Sequence, residues 1–166
     1  LARNPQRPPP ALVLGCGLAA LVPAYLAVLD LRARGIVVFL MIGAIVWIAD
    51  IAAYFAGRAF GKRKLAPAIS PGKTWSGLAG AVGGAYVAFA AFAFLHPAVS
   101  PLVYWGLPPV VAVAGTVGDL LESWVKRAAG VKDAGTWLPG FGGLLDRIDS
   151  TLVALPVACL LLRLVG

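Results

Sequence analysis

Residues 77–118 read GLAGAVGGAYVAFAAFAFLHPAVSPLVYWGLPPVVAVAGTVG, 42 positions without one charged side chain. A bilayer crossing takes about 20 residues, so this run holds two helices. The segment His96-Pro97-Ala98-Val99-Ser100-Pro101 divides them, because proline disfavours helix at its own position and at the one before. Working outward, residues 11–29 form another uncharged run, 36–57 is interrupted only by Asp50, and Ser150–Gly166 carries only Arg163, which can snorkel to an interface. The expectation is an all-α, polytopic membrane protein with five spanning helices at about 11–29, 36–57, 77–95, 102–127 and 144–165. They form a single membrane domain, 11–166, after a cytoplasmic lead-in, 1–10, with cytoplasmic loops 58–76 and 128–143.

Composition points the same way. Hydrophobic residues make up 60% and charged residues 13%, where soluble domains carry about 25% charged. A chain of 166 residues cannot hide that much apolar surface in one core, so it needs lipid. The 20 Gly and 13 Pro show no period, and two cysteines without a CxxC pattern exclude a disulfide scaffold. Cys16 and Cys159 read as small apolar residues. The chain opens with Leu and has no signal-peptide pattern, which reads as a piece of a longer protein. Gly80-xxx-Gly84 allows close helix packing, within the chain or between two copies as a homodimer. The five tryptophans, Trp47, Trp75, Trp105, Trp124 and Trp137, are expected near span ends.

Charge sets the orientation. Five spans put Arg3, Arg7, Arg58, Lys62, Arg63, Lys64, Lys73, Lys126, Arg127, Lys132 and Arg147 on one side, eleven cations against Arg32, Arg34 and Arg163 on the other. That asymmetry assigns the richer side to the cytoplasm. The net charge of +7 is then a basic face at a membrane boundary, suited to lipid headgroups or a polyphosphate rather than to nucleic acid.

Polar residues gather in three places. Asp50, Tyr54 and Arg58 are spaced to share one helix face, with Asp50 roughly 10 Å inside the end of its span at 1.5 Å per residue. An ionisable group at that depth is a functional candidate, with a structural hydrogen bond or an ion pair to Arg58 as the plain alternative. Ser70-Pro71-Gly72-Lys73-Thr74 lacks Walker A spacing, yet a turn with two hydroxyls and a lysine can hold phosphate oxygens. A solvated basic loop is its simpler reading. In the third place Asp119, Ser123, Lys126 and Arg127 lie on one face of the fourth helix. Asp146 and Asp149, three apart at the start of the fifth helix, are two like charges that a cation would relieve. Carboxylates without Cys or His select a hard cation, Mg²⁺, alternatively Mn²⁺ or a second cation beside it, with Asp119 as third ligand. The alternative is plain pairing with Lys126, Arg127 and Arg147.

The pattern Ser123-x2-Lys126-Arg127-x4-Lys132-Asp133-x-Gly135-x2-Leu138-Pro139-Gly140-x-Gly142-Gly143-x2-Asp146-Arg147-x-Asp149 closely resembles the signature of the phosphatidate cytidylyltransferase (CDP-diacylglycerol synthase) family. Ser70-Pro71-x-Lys73-Thr74-Trp75-x-Gly77 and Asp50-x2-Ala53-Tyr54-Phe55-x-Gly57-Arg58 resemble upstream motifs of the same family. The resemblance covers residues 30–160 and implies the C-terminal catalytic portion of a bacterial cytoplasmic-membrane enzyme with its site facing the cytoplasm. Such an enzyme makes CDP-diacylglycerol and pyrophosphate from CTP and phosphatidate with Mg²⁺. It implies Asp119, Asp146 and Asp149 as metal ligands, joined by Lys126 and Arg127 as catalytic residues. Ser70, Lys73, Thr74, Ser123, Lys132, Arg147, Asp50, Tyr54 and Arg58 then form the substrate-contacting set.

Two departures stand out. The family signature has His where this chain has Phe141, and family members carry further N-terminal helices. The chemistry suits the residues independently. A phosphomonoester has a second pKa near 6 and is a ready dianion at pH 7. The reaction therefore needs cations more than a strong base, and the lone His96 is expected on the far side. Two other functions fit parts of the pattern. A CTP-dependent lipid kinase of polyprenol type would attack the γ-phosphorus, and an ion-translocating protein would use Asp50.

Overall fold

The computed structural model describes residues 10–95, 100–128 and 145–165, with side chains from 15 onward in the first segment and from 148 onward in the last. Lys132, Phe141 and loop 129–143 therefore lie outside the described residues, as do the side chains of Asp146 and Arg147. Five helices and one small hairpin make up the described chain: α1 (Pro10–Ala33), α2 (Ile36–Phe60), β1 (Lys64–Ala66), β2 (Ser70–Thr74), α3 (Trp75–Leu95), α4 (Pro101–Ala128) and α5 (Leu145–Val165). All five helices contain a stretch long and apolar enough to cross a membrane.

Each helix runs close to its expected range, and the differences have causes. α1 continues to Ala33, past Asp30 and Arg32. Asp30 is neutralised there by Arg34 one turn on, at 3.0 Å, and by Arg163 of α5. Cys159 donates to the same carboxylate at 3.0 Å, and Arg34 donates to the Leu162 carbonyl at 3.3 Å. This cluster ties α1 to α5 at one end of the bundle. The turn into α2 hinges on Gly35, whose φ of 129° a side chain would resist. α2 extends three residues beyond its expected end, to Phe60. Its buried residues Met41, Ile42, Ile45, Val46 and Ala49 repeat at helical spacing, forming a stripe that faces the other helices.

The segment 58–76, expected as a loop, contains an antiparallel hairpin pairing Lys64 with Thr74 and Ala66 with Ser70. The Trp75 amide donates to the Arg63 carbonyl at 3.1 Å and closes its base. Thr74 caps α3: its Oγ1 accepts the Gly77 amide at 3.0 Å, satisfying one of the free donors of the first turn. Thr74 is only 4% exposed because Gly57, Gly61 and Gly77 close around it. A Cβ added at Gly61 would lie 2.8 Å from its methyl group.

α3 lies along α2 with Gly77, Gly80 and Gly84 inward. A Cβ at Gly80 would stand 2.4 Å from Ala56 Cβ, and one at Gly84 2.5 Å from Ala52 Cβ. The Gly80-xxx-Gly84 face thus packs within the chain. α4 meets α5 through Gly118, where an added Cβ would come within 2.7 Å of the Asp149 carbonyl. Tyr86 of α3 donates to the Trp105 carbonyl of α4 at 2.8 Å. The buried core among the described residues includes Leu31, Ile42, Ile45, Phe89, Leu107 and Val111. Outward faces are apolar as well: Trp47, Val87 and Leu164 are exposed, as lipid-facing side chains must be. Trp47 differs from its expected place, standing mid-way along α2 rather than near a span end. α4, at 28 residues and about 42 Å, is longer than the roughly 30 Å hydrocarbon core.

Candidate functional site

The hairpin sets the location of the site. Its base is fixed by buried Thr74 between α2 and α3, and the preceding residue, Lys73, reaches across to α4. Its ammonium lies 2.5 Å from Asp119 Oδ2 and donates to the Thr116 carbonyl at 3.3 Å. The C-terminal end of α2, the hairpin, the start of α3, the second half of α4 and the start of α5 thereby surround one open cleft of about 860 Å³. The Asp30 cluster, near the C-terminal ends of α1 and α5, belongs to the opposite end of the bundle.

Of the residues singled out in the sequence, Asp50, Tyr54, Arg58, Ser70, Lys73, Thr74, Asp119, Lys126 and Asp149 line this cleft. They come from separate elements up to 99 positions apart, from Asp50 to Asp149. Ser123 donates to Asp119 Oδ1 at 3.4 Å and does not itself line the cleft. Arg127 is exposed on α4 away from the lining. Lys132, Asp146 and Arg147 fall outside the described side chains.

Each polar contact has a local cause. Arg58 donates to the Tyr54 hydroxyl at 3.1 Å, as expected one helical turn apart. Asp50, deep in α2, does not pair with Arg58 among the described contacts. Instead its Oδ2 accepts the Ser150 hydroxyl of α5 at 2.8 Å. The Ser150 amide in turn donates to Asp149 Oδ1 at 2.7 Å. Ser150 is 4% exposed, packed where Gly115 leaves room on α4. One serine thus aligns two carboxylates from two helices.

Sequence reasoning passed over Ser150 and Glu122. Glu122 pairs with Lys126 one turn later at 2.7 Å, both side chains being largely buried. Its other oxygen, Oε1, is buried without a hydrogen-bond partner among the described residues. Spacing contained the signal for Glu122, which is three residues from Asp119 and four from Lys126, on the same face. Ser150 carried none, because its partner lies 100 residues away.

Among the described residues no three His, Cys, Asp or Glu side chains form a ready metal cage. The donors are nonetheless all hard oxygens: Asp119, Asp149, Asp50 and the Ser150 hydroxyl. That set fits Mg²⁺, which usually takes one or two carboxylates and completes its shell with water and substrate phosphates. The cleft lining is close to charge-balanced, with Arg58, Lys64, Lys73 and Lys126 against Asp50, Asp119 and Asp149.

Fold and cleft together define an integral membrane protein whose helix bundle carries a mixed-charge pocket at one end. The chain belongs to the cytidylyltransferase family, whose sequence profile matches residues 10–165. Similar proteins include the phosphatidate cytidylyltransferase of Pseudomonas aeruginosa, 44% identical over 159 residues, covering 92% of this chain and 58% of that protein. The phosphatidate cytidylyltransferase of Haemophilus influenzae is 42% identical over 162 residues, covering 89% and 56%. That of Bacillus subtilis is 45% identical over 121 residues, covering 72% and 45%. The chain therefore spans about half the length of the curated relatives it matches.

Proposed function

We propose that this chain carries the catalytic portion of a phosphatidate cytidylyltransferase, which transfers the cytidylyl group of CTP to phosphatidate and releases pyrophosphate. The observation that carries the reading is the convergence of Lys73, Asp119, Asp50, Asp149 and Lys126 on one cleft at an end of a membrane bundle. The names of the relatives support the substrates. The excess of cations on this side of the spans supports a cytoplasmic site, where CTP is available.

In this reading a phosphate oxygen of phosphatidate attacks the α-phosphorus of CTP. The new P–O bond forms as the bond to the β-phosphate oxygen breaks, and pyrophosphate leaves with the electron pair. Two anions must approach, so cations carry the catalysis. Lys73, Lys126, Lys64 and Arg58 line the cleft, and in this reading they hold the triphosphate and the lipid phosphate. Asp119 and Asp149, with Asp146 as the further candidate, would hold Mg²⁺, which when bound supplies Lewis-acid neutralisation of the triphosphate. Asp50 and Ser150 fix the floor of the cleft through their hydrogen bond. The apolar outer faces of the helices keep the acyl chains in the bilayer while only the headgroup enters.

Positional labelling tests the reaction. With the chain in detergent, phosphatidate and Mg²⁺, label from the α-phosphate of CTP should enter lipid and γ-label should leave as pyrophosphate. γ-Label entering lipid would replace this reading with a lipid kinase, and no transfer of either label would refute the enzyme.

A further inference from the structure

We infer that Lys73 is an exchangeable occupant of the cation position on Asp119, so that the hairpin arm and a divalent cation compete for the same carboxylate. The inference rests on the cytidylyltransferase reading for the identity of the nucleotide, but not for the competition itself. Both oxygens of Asp119 are engaged: Oδ2 by the Lys73 ammonium at 2.5 Å and Oδ1 by the Ser123 hydroxyl at 3.4 Å. A Mg²⁺ or Mn²⁺ ion bonds carboxylate oxygen at about 2.1 Å. On Oδ2 it would stand at most about 4.6 Å from the ammonium already there. A dication and an ammonium that close repel strongly in a half-buried site, so the two occupancies exclude each other.

The hairpin is built for the exchange. Its root cannot move far, because Thr74 is buried among Gly57, Gly61 and Gly77 and caps α3. Lys73 is the next residue outward, and its grip on α4 runs through the flexible end of a four-carbon stem, to Asp119 and the Thr116 carbonyl. Displaced from Asp119, the ammonium stays within the cleft that Lys64, Ser70 and Lys126 also line. A triphosphate there would give it a new anionic partner. Cation and nucleotide therefore help each other bind: the cation frees Lys73 for phosphate, and phosphate compensates Lys73 for the lost carboxylate. By linkage the effect is reciprocal. Without nucleotide the lysine acts as a built-in counter-ion that keeps the charge-balanced cleft closed to free divalent cations.

The test measures Mn²⁺ binding to the purified chain in detergent, by the electron-spin signal of free Mn²⁺, with CTP-only samples subtracted. In the wild-type chain CTP should tighten Mn²⁺ binding at least about fivefold, the lower end of ordinary coupling. Lys73→Met should tighten Mn²⁺ binding in the absence of nucleotide by several-fold and lose most of the CTP enhancement, while Lys73→Arg stays near wild type. Unchanged or weaker Mn²⁺ binding in a folded Lys73→Met would overturn the inference. A second readout needs no variant. Mn²⁺ alone should speed acylation of Lys73 by an amine-reactive reagent, followed by mass spectrometry, and Mn²⁺ with CTP should slow it. No effect of Mn²⁺ alone on Lys73 would overturn the competition. Release of Lys73 by Mn²⁺ with no response to CTP would keep the competition and instead refute the nucleotide reading.

Discussion

Replacing Gly80 by alanine tests the packing that positions the cleft. The added Cβ would stand 2.4 Å from Ala56 Cβ and 2.9 Å from the Ala52 carbonyl oxygen. Carbon contacts settle at about 3.5–4.0 Å, so α3 must withdraw from α2 by roughly 1 Å. Overpacking of that kind costs about 1–3 kcal/mol. Alanine also gains helix propensity over glycine, up to about 1 kcal/mol, which obscures the single variant. Gly83→Ala removes the ambiguity. Gly83 is on the same helix three residues on, and nothing lies within 4 Å of its added Cβ. The propensity gain then cancels between the two variants, leaving the packing term. Gly80→Ala should therefore unfold below Gly83→Ala by about 1–3 kcal/mol, roughly 2–12 °C for a chain of this size. Thermal unfolding of both in one detergent measures it. Equal melting temperatures would refute the close α2–α3 contact, and with it the placement of Thr74 and Lys73.

Three further outcomes follow from particular contacts. Thr74→Ala removes the cap on α3 and should cost about 0.5–2 kcal/mol in the same melt, with Thr74→Ser recovering most of it because the Gly77 amide keeps an acceptor. Ser150→Ala removes a hydrogen bond to the Asp50 carboxylate, and about 1.5–3 kcal/mol of stability should go with it; a melt unchanged from wild type would show that the α2–α5 link carries no energy. Glu122→Gln weakens the hold on Lys126, so kcat/KM for CTP should fall about 2–12-fold, equivalent to 0.5–1.5 kcal/mol, and a variant with full kcat/KM would remove Glu122 from the support of the site.

The membrane architecture was readable because lipid imposes a coarse rule. A span must be about 20 residues of low charge, and residues 77–118 can satisfy it only as two helices. Helix ends were less readable. α1 runs past Asp30 because that charge is met by Arg34 one turn on and also by Arg163, from a helix 133 residues away. The hairpin was hidden for another reason: Ser70-Pro71-Gly72-Lys73-Thr74 has no strand-like alternation, and pairing with Lys64–Ala66 depends on Thr74 being buried against Gly57 of α2, Gly61 just past its end and Gly77 of α3. The gathering of Asp50 with Ser150, rather than with Arg58 on its own helix face, is likewise a tertiary fact. Helical spacing can say that Asp50, Tyr54 and Arg58 share a face, but not which neighbouring helix faces them.

In the proposed reaction the cleft between α2, the hairpin, α4 and α5 performs cytidylyl transfer with a divalent cation held by its carboxylates. The most direct measurement is turnover of CTP and phosphatidate by the purified chain, scoring CDP-diacylglycerol and pyrophosphate together, with and without EDTA, beside Asp149→Asn. The two products should form in equal amounts, lost with EDTA and lost in Asp149→Asn although that variant still folds in detergent. EDTA-resistant turnover, or full activity in Asp149→Asn, would contradict it.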